Sequence, residues 1–159
     1  MKQNVLKLFL ILLVAGFIPA KATTNNHATG KPIETTIDLT QVIDDKVPVT
    51  INPGRFTIDT VTYRLPKVVQ GTYTVSDFGS FIENFKAFDY KGNEITVEKL
   101  DTNSWTIGNA ENLDKITYLV NDTFDIENKD GQATPFSPSG TNIEPKNYVL
   151  NLHGFIGYF

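Results

Sequence analysis

The sequence lacks cysteine entirely and has only two histidines among its 159 residues. The absence of cysteine excludes a disulfide framework, thiolate-bound zinc, iron–sulfur ligation and a cysteine nucleophile. His27 and His153 lie near opposite ends of the chain without a neighbouring carboxylate, and no H-E-x-x-H pair is present. We therefore expect no catalytic residue, no metal site and no cofactor in this chain. His153 is interpreted as a hydrogen-bonded residue at a strand end, in preference to a ligand or base.

Basic residues are also scarce, because the chain has 14 Lys and Arg against 18 Asp and Glu and a formal charge of −4. Three of the basic residues and none of the acidic ones lie within residues 1–22, so the rest of the chain has a formal charge of −7. An acidic chain has no electrostatic footprint for nucleic acid. The same acidity argues against binding to an anionic membrane surface.

Common catalytic and ligand-binding motifs are missing as well. The chain has no G-x-S-x-G nucleophile elbow and no glycine-rich phosphate loop. An acidic cluster is present, but it lacks the spacing of a calcium-binding EF-hand; its members are Asp122, Asp125, Glu127 and Asp130. We interpret this cluster as a solvated hairpin edge.

Residues 1–22 have the pattern of a secretory signal peptide. A basic start precedes an apolar run over residues 8–18, and Ala20 and Ala22 supply the A-x-A pattern that signal peptidases cleave. The apolar run is about half the length of a bilayer span. We expect cleavage, a polar leader over residues 23–32, and export to the periplasm or outside the cell with no membrane attachment afterwards. An uncleaved anchor or a buried helix is the alternative.

From residue 33 onward, apolar and polar residues alternate with the period of two that is typical of β-strands. Valine, isoleucine, threonine and tyrosine are frequent there and suit a pleated, half-buried surface. Asn52-Pro53-Gly54 and Lys91-Gly92-Asn93 are turn sequences. Strands are predicted at residues 37–39, 47–51, 56–65, 72–76, 81–90, 94–98, 105–107, 116–120, 124–126 and 147–152. Many short strands at close spacing predict an all-β domain, an antiparallel β-sandwich.

Two details of this pattern stay open. Residues 77–82 fit one helical turn as well as a strand, because the aromatic residues there also have helical spacing. Trp105, Tyr73 and Tyr118 could form a sugar-binding platform, but their alternation within strands favours core positions.

Residues 128–145 are rich in proline and glycine and are predicted to form a loop.

The segment LPKVVQGTYTVSDF at residues 65–78 resembles the motif P-x-W-x-P-G-S-Y-x-I-x-D-F. This motif belongs to the N-terminal domain of the glycyl aminopeptidase family of zinc metallopeptidases. Stretches that resemble later parts of that domain in bacterial members follow in the family's order, at residues 81–87, 99–105, 116–120, 140–144 and 147–159. The resemblance implies that residues 33–159 form this domain. The Trp and Pro of the motif are replaced by Val68 and Gln70.

The residues that match the family are interpreted as structural: Gly71, Tyr73, Asp77, Phe78 and Trp105. Gly71 precedes the alternating Tyr73 and Val75, where a glycine suits a bulge or a close backbone approach. Asp77 is expected to cap the turn that follows it through its carboxylate.

In this family the domain precedes a catalytic domain that carries H-E-x-x-H, usually followed by a PDZ domain, and this chain has no positions that match either. The resemblance therefore implies the non-catalytic N-terminal part of an exported zinc aminopeptidase. Such a part serves as a scaffold or as a wall of the substrate cleft. Its implied partner is the metallopeptidase catalytic domain, normally in the same chain.

The end of the sequence, residues 154–159, contains four large apolar residues and no polar strand face. A segment of this kind is normally covered by another part of the protein. We expect it to form an exposed adhesive surface, and the expected interdomain contacts are His153, Phe155, Tyr158 and Phe159. An edge strand that packs into the core is the alternative.

A second class of function stays open: a free-standing secreted β-sandwich module that binds a glycan or a protein. The two hypotheses differ in genomic context. A reading frame encoding H-E-x-x-H directly downstream favours the peptidase domain, whereas an independent terminator favours the free-standing module.

Cleavage of residues 1–22 during export is the first testable prediction. Protein recovered from the periplasm or the medium should begin near Thr23, because the A-x-A site follows an apolar run too short to span a bilayer. N-terminal sequencing of the exported protein measures this. Exported material that still begins at Met1 would refute cleavage.

Overall fold

A computed structural model describes residues 32–124 and 140–159, which contain ten β-strands and four short 3-10 turns. The strands are β1 Glu34–Ile37, β2 Lys46–Asn52, β3 Val61–Arg64, β4 Ile82–Asp89, β5 Glu94–Ile95, β6 Val97–Asp101, β7 Ser104–Ile107, β8 Leu113–Asn121, β9 Asn142–Glu144 and β10 Asn147–Val149. The 3-10 turns are Leu39–Gln41, Phe78–Phe81, Ala110–Asn112 and Leu152–Gly154. Every paired strand is antiparallel, so the prediction of an all-β antiparallel fold is confirmed.

The strands form two sheets and a separate ribbon. The larger sheet has five strands in the order β1-β2-β8-β4-β5, and the smaller has three in the order β3-β7-β6. Strands β9 and β10 pair only with each other. Within the described part of the chain, no helix is long and apolar enough to cross a membrane.

The period of two in the sequence sets the inner face of the larger sheet. In β2, the buried residues alternate with half-buried ones, and β8 continues the same alternation. Val49 pairs with Tyr118, and Ile51 with Ile116, so the buried side chains of both strands share one face. A shift of one residue would turn the whole apolar set outward, which is why this register is strongly specified.

Aromatic side chains join the two sheets face to face. Phe85 of β4 stacks on Trp105 of β7 with ring centroids 4.6 Å apart, and its ring also contacts Tyr118 and Tyr63 at centroid distances of 5.8 and 5.9 Å. Tyr63 of β3 lies 6.1 Å from Tyr118. Trp105 is only 3% exposed and Tyr118 only 2% exposed, so both lie in the core, as their alternation predicted. Aromatic pairs of this kind add to the free energy of burial.

Several predicted element boundaries need correction. Only Val61–Arg64 of the predicted strand 56–65 is extended and paired. Residues 77–82 form a 3-10 turn that leads into β4, which combines the two open alternatives. Asn142–Glu144 is a strand, although it lies within the predicted loop 128–145. The predicted strand 124–126 falls mostly outside the described residues.

The acidic cluster also differs from the prediction at its first member. Asp122 is 5% exposed, and its carboxylate accepts hydrogen bonds from the N–H groups of Phe124 and Ile143. It therefore ties the end of β8 to β9 in the protein interior, and the interpretation as a solvated edge is wrong for this residue. Asp125, Glu127 and Asp130 lie outside the described residues.

Two buried tyrosine hydroxyls hold residues 152–159, here named the C-terminal segment, against the core. Tyr118 donates to the carbonyl of Phe155, so its oxygen accepts the proton of Tyr63, 2.9 Å away. Tyr63 in turn accepts from the N–H of Gly157 at 2.8 Å. Burial raises the pKa of Tyr118 and of Tyr63, so both hydroxyls keep the protons that this chain of hydrogen bonds requires.

The hydroxyl chain predicts a specific loss of stability. Tyr118→Phe leaves the carbonyl of Phe155 and the hydroxyl of Tyr63 without their buried partner, which should lower the free energy of unfolding by about 1–3 kcal/mol. Urea denaturation followed by the fluorescence of the single tryptophan measures the change.

The matched control is Tyr90→Phe. Tyr90 is 44% exposed and its hydroxyl lies 3.4 Å from the carbonyl of Gly54, so this variant should change the free energy of unfolding by less than about 0.5 kcal/mol. Equal unfolding midpoints for the two variants would show that the buried chain contributes nothing.

Candidate functional site

A polar cleft of about 260 Å³ opens where β3 ends and β6 turns into β7. Its lining includes both signs of charge and a phenol: Arg64, Lys67, Asp77, Asp101, Asn103 and Tyr158. These residues come from four separate stretches of sequence, so only the folded chain brings them together. The family-like motif supplies two of them, and the C-terminal segment supplies a third.

Asn103 organises the floor of this cleft. It is 7% exposed, and its side chain donates to Asp77 at 2.7 Å and accepts from the N–H of Gly79 at 2.9 Å. Its own N–H donates to Asp101 at 2.7 Å, and its carbonyl accepts from Leu65 at 2.9 Å. Asn103 thus connects the β6–β7 turn to the motif through its side chain and to the residue after β3 through its backbone carbonyl.

Gly79 allows this close approach. A Cβ at this position would lie 2.7 Å from the Cα of Asn103 and still closer to the carbonyl oxygen of Thr102. Both neighbours are backbone atoms, which have little freedom to move. The 3-10 turn Phe78–Phe81 can therefore lie against the β6–β7 turn only with glycine here.

Asp77 does not cap the following turn through its carboxylate, so that prediction is wrong. Its φ of 44° lies in the left-handed region, and its carboxylate accepts from Asn103 across the cleft. Its backbone carbonyl accepts from the N–H of Ser80 at 2.8 Å and from the Ser80 hydroxyl at 2.7 Å. The turn is therefore closed by the backbone, and the carboxylate is used for the tertiary contact.

The charged groups of the cleft favour an ionised Asp101. The hydrogen bond from the N–H of Asn103 lowers the pKa of Asp101, and Ser104 and the positive charge of Lys67 lower it further. The cleft therefore presents carboxylate, cationic and phenolic groups at neutral pH. Such groups form hydrogen bonds and ion pairs with another polar surface.

Residues 67–77, here named the 67–77 loop, form a protrusion beside the cleft. Its base is closed by bonds from Ser76 and Asp77 to the carbonyl of Lys67, at 2.9 and 3.0 Å. Val68 and Val75 form one isolated bridge, so the predicted strand 72–76 is wrong.

The tip of this loop carries Gly71 and Tyr73. Gly71 has a φ of 92° with nothing within 4 Å of a Cβ, so glycine here serves a turn conformation and not the expected close approach. Tyr73 is 99% exposed, which makes its predicted core position wrong. The alternation of Tyr73 and Val75 has the period of a strand. The backbone at the tip forms a turn, so no sheet is present there against which Tyr73 could pack.

The C-terminal segment is divided between core and surface. Phe155 is 0% exposed, and Phe159 packs against Phe56 and Tyr63 with ring centroids 4.9 and 5.1 Å apart. The expected exposed adhesive cluster is therefore wrong for Phe155, because this side chain is already covered by the domain itself. Ile156 is 42% exposed and Tyr158 is 53% exposed.

His153 and Phe78 connect the motif to the C-terminal segment. The rings stack with centroids 6.4 Å apart, and Nδ1 of His153 lies 3.0 Å from the side-chain oxygen of Asn151. Phe78 is 3% exposed and packs beneath Gly154, where a Cβ would lie 3.2 Å from its ring. His153 is hydrogen-bonded as expected, but it belongs to a 3-10 turn and not to a strand end.

Asn103 and Arg64 were not among the site residues predicted from the sequence. Asn103 follows an aspartate by two residues, a pattern typical of a tight turn, but nothing in that pattern signals four tertiary and local hydrogen bonds. Within residues 32–124 and 140–159, no group of three or more His, Cys, Asp or Glu residues could hold a metal ion. The described groups can bind and position another surface.

Two facing antiparallel sheets with a polar, hydrogen-bonded cleft define an all-β domain as the class of this protein. Residues 34–159 match the Peptidase M61 N-terminal domain, and the chain belongs to this family. A comparison with curated protein sequences finds no match.

One solved structure similar to this chain is an aminopeptidase N family protein from Idiomarina loihiensis. The TM-score is 0.50 at 22% identity, and the match covers 57% of this chain. It spans 15% of the other protein's length. At this identity the likeness concerns the fold alone.

The Asn103 network yields a second stability prediction. Asn103→Ala removes the partner of Asp77 and of the N–H of Gly79, so the free energy of unfolding should fall by about 1–3 kcal/mol. Urea denaturation measures the change. Asn147→Ala is the control, since Asn147 is exposed on β10. A loss no larger than that of the control would contradict the role assigned to Asn103.

Proposed function

We propose that this chain is the non-catalytic N-terminal domain of an exported metallopeptidase and binds the catalytic domain of that enzyme. The observation that carries the proposal is the family match over residues 34–159. A domain of this family is the part of a peptidase that supports its catalytic part, as a scaffold or as a wall of the substrate cleft. Cleavage of residues 1–22 and export belong to the same proposal and rest on the signal-like sequence.

The form of the domain supports a scaffolding role. Its two sheets face each other through stacked aromatic rings, which gives a rigid body, and the C-terminal segment is bound to that body by buried hydroxyls. The polar cleft lies beside residue 158, close to the end of the family match. A domain attached after residue 159 in a longer family member would thus start next to the cleft.

The proposal is tested with two separate chains. The mature chain, residues 23–159, is mixed with the catalytic domain of a longer family member expressed without its own N-terminal domain. We expect saturable association by isothermal titration calorimetry. We also expect hydrolysis of glycyl and alanyl p-nitroanilides only when the catalytic domain is present.

Two results would contradict the proposal. Hydrolysis by the mature chain alone, abolished by a chelator, would show a catalytic site in this chain. Absence of association, together with binding to a glycan array, would favour the free-standing glycan-binding module instead.

The contact surface is tested with a variant of the mature chain that lacks the two cations of the cleft, Arg64→Ala with Lys67→Ala. Weaker association of this variant would place the contact at the cleft.

A further inference from the structure

Tyr73 is the residue of the described chain whose conformation and exposure together call for a functional explanation. Among residues 32–124 and 140–159, six non-glycine residues have positive φ, and five of them are Asp or Asn, the types that tolerate this region best. Tyr73 is the exception, with a φ of 54°. A bulky side chain in this conformation is strained, and such strain concentrates at functional sites.

Burial does not explain the tyrosine. Its side chain is 99% exposed, so it contributes no packing to the domain that carries it. Val68 and Val75, on the two sides of the same loop, are 44% and 45% exposed. The 67–77 loop therefore presents one fully exposed aromatic ring above two half-exposed aliphatic side chains. Aromatic residues in this kind of setting are the usual anchors of protein interfaces.

Local hydrogen bonds hold the backbone that carries this ring. The hydroxyl of Thr72 donates to the carbonyl of Val69 at 2.8 Å, and the hydroxyl of Thr74 donates to the carbonyl of Thr72 at 3.2 Å. The base of the loop is closed by hydrogen bonds from the N–H groups of Ser76 and Asp77 to the carbonyl of Lys67. Local hydrogen bonds of this kind lower the entropy that an anchor loses when it binds.

We propose that Tyr73 is the anchor with which this domain binds the metallopeptidase catalytic domain, inserting its ring into an apolar pocket of that partner. This inference rests on the proposed function and names the contact. The position of the loop argues for this occupant. Both ends of the loop, Lys67 and Asp77, line the cleft together with Tyr158, one residue before the end of the family match.

A catalytic domain that follows residue 159 in a longer family member therefore begins beside the base of the loop. Covalent connection at such short range keeps the surface of that catalytic domain within reach of the ring. The ring supplies apolar contact area with only two side-chain torsions to restrict, and its hydroxyl accommodates a polar group at the pocket's end.

The experiment compares variants of the mature chain, residues 23–159, titrated with the separately expressed catalytic domain of a longer family member. Tyr73→Asn removes the ring and keeps a residue that tolerates positive φ, so the loop conformation is retained. Tyr73→Phe keeps the ring and removes the hydroxyl. Tyr90→Asn is the matched control, because Tyr90 is a half-exposed tyrosine at the opposite end of β4 from the Phe78–Phe81 turn. Circular dichroism and the urea midpoint verify that each variant is folded.

We expect Tyr73→Asn to weaken the association roughly ten-fold or more, and Tyr73→Phe and Tyr90→Asn to change it less than about three-fold. Association of wild type with unchanged affinity for Tyr73→Asn would overturn the anchor and leave the proposed function intact. Absence of association for wild type would overturn both. Binding of wild type to a glycan array that is lost in Tyr73→Asn, without association with the catalytic domain, would assign the ring to a sugar instead.

Discussion

The rest of this structure depends on a chain of four hydrogen-bonding groups centred on two buried tyrosine hydroxyls. It runs from the N–H of Gly157 through the hydroxyls of Tyr63 and Tyr118 to the carbonyl of Phe155. Tyr63 belongs to the smaller sheet and Tyr118 to the larger one, so the same chain connects both sheets and the C-terminal segment. Burying a polar group costs free energy unless the group has a hydrogen-bond partner, and here each group has a partner within the chain. The register of the two sheets is thereby coupled to the path of the last residues.

The consequence for function lies in how the domain presents its surface. Phe155 and Phe159 attach the C-terminal segment to the core beside Tyr158, and Asn103 holds the floor of the cleft through Asp77 and Gly79. A surface whose lining is already held by hydrogen bonds loses less conformational entropy on binding than a disordered one. This arrangement supports the scaffold role that we propose for the domain.

Most strands were predictable and the site was predictable only in part. The alternation in β2 and β8 follows directly from a sheet with one buried face, and it correctly placed Trp105 and Tyr118 inside. The motif residues Asp77 and Phe78 do lie beside the cleft and the C-terminal segment. Asn103 could not be found, because its importance comes from partners up to 38 positions away in sequence, such as Leu65. No local pattern records such pairings.

The sequence by itself determined the antiparallel all-β class and the inner faces of the long strands, because these depend on local period and composition, and its motif resembled the family that the match over residues 34–159 shows. Only the tertiary structure decided which apolar residues of the short segments are buried and which are exposed. Tyr73 and Phe155 are both aromatic and both lie near glycines, yet one is 99% exposed and the other 0%. The physical reason is that burial requires a partner surface. The core supplies one for Phe155, whereas the tip of the 67–77 loop, where Gly71 and Tyr73 have positive φ angles, leaves Tyr73 in solvent.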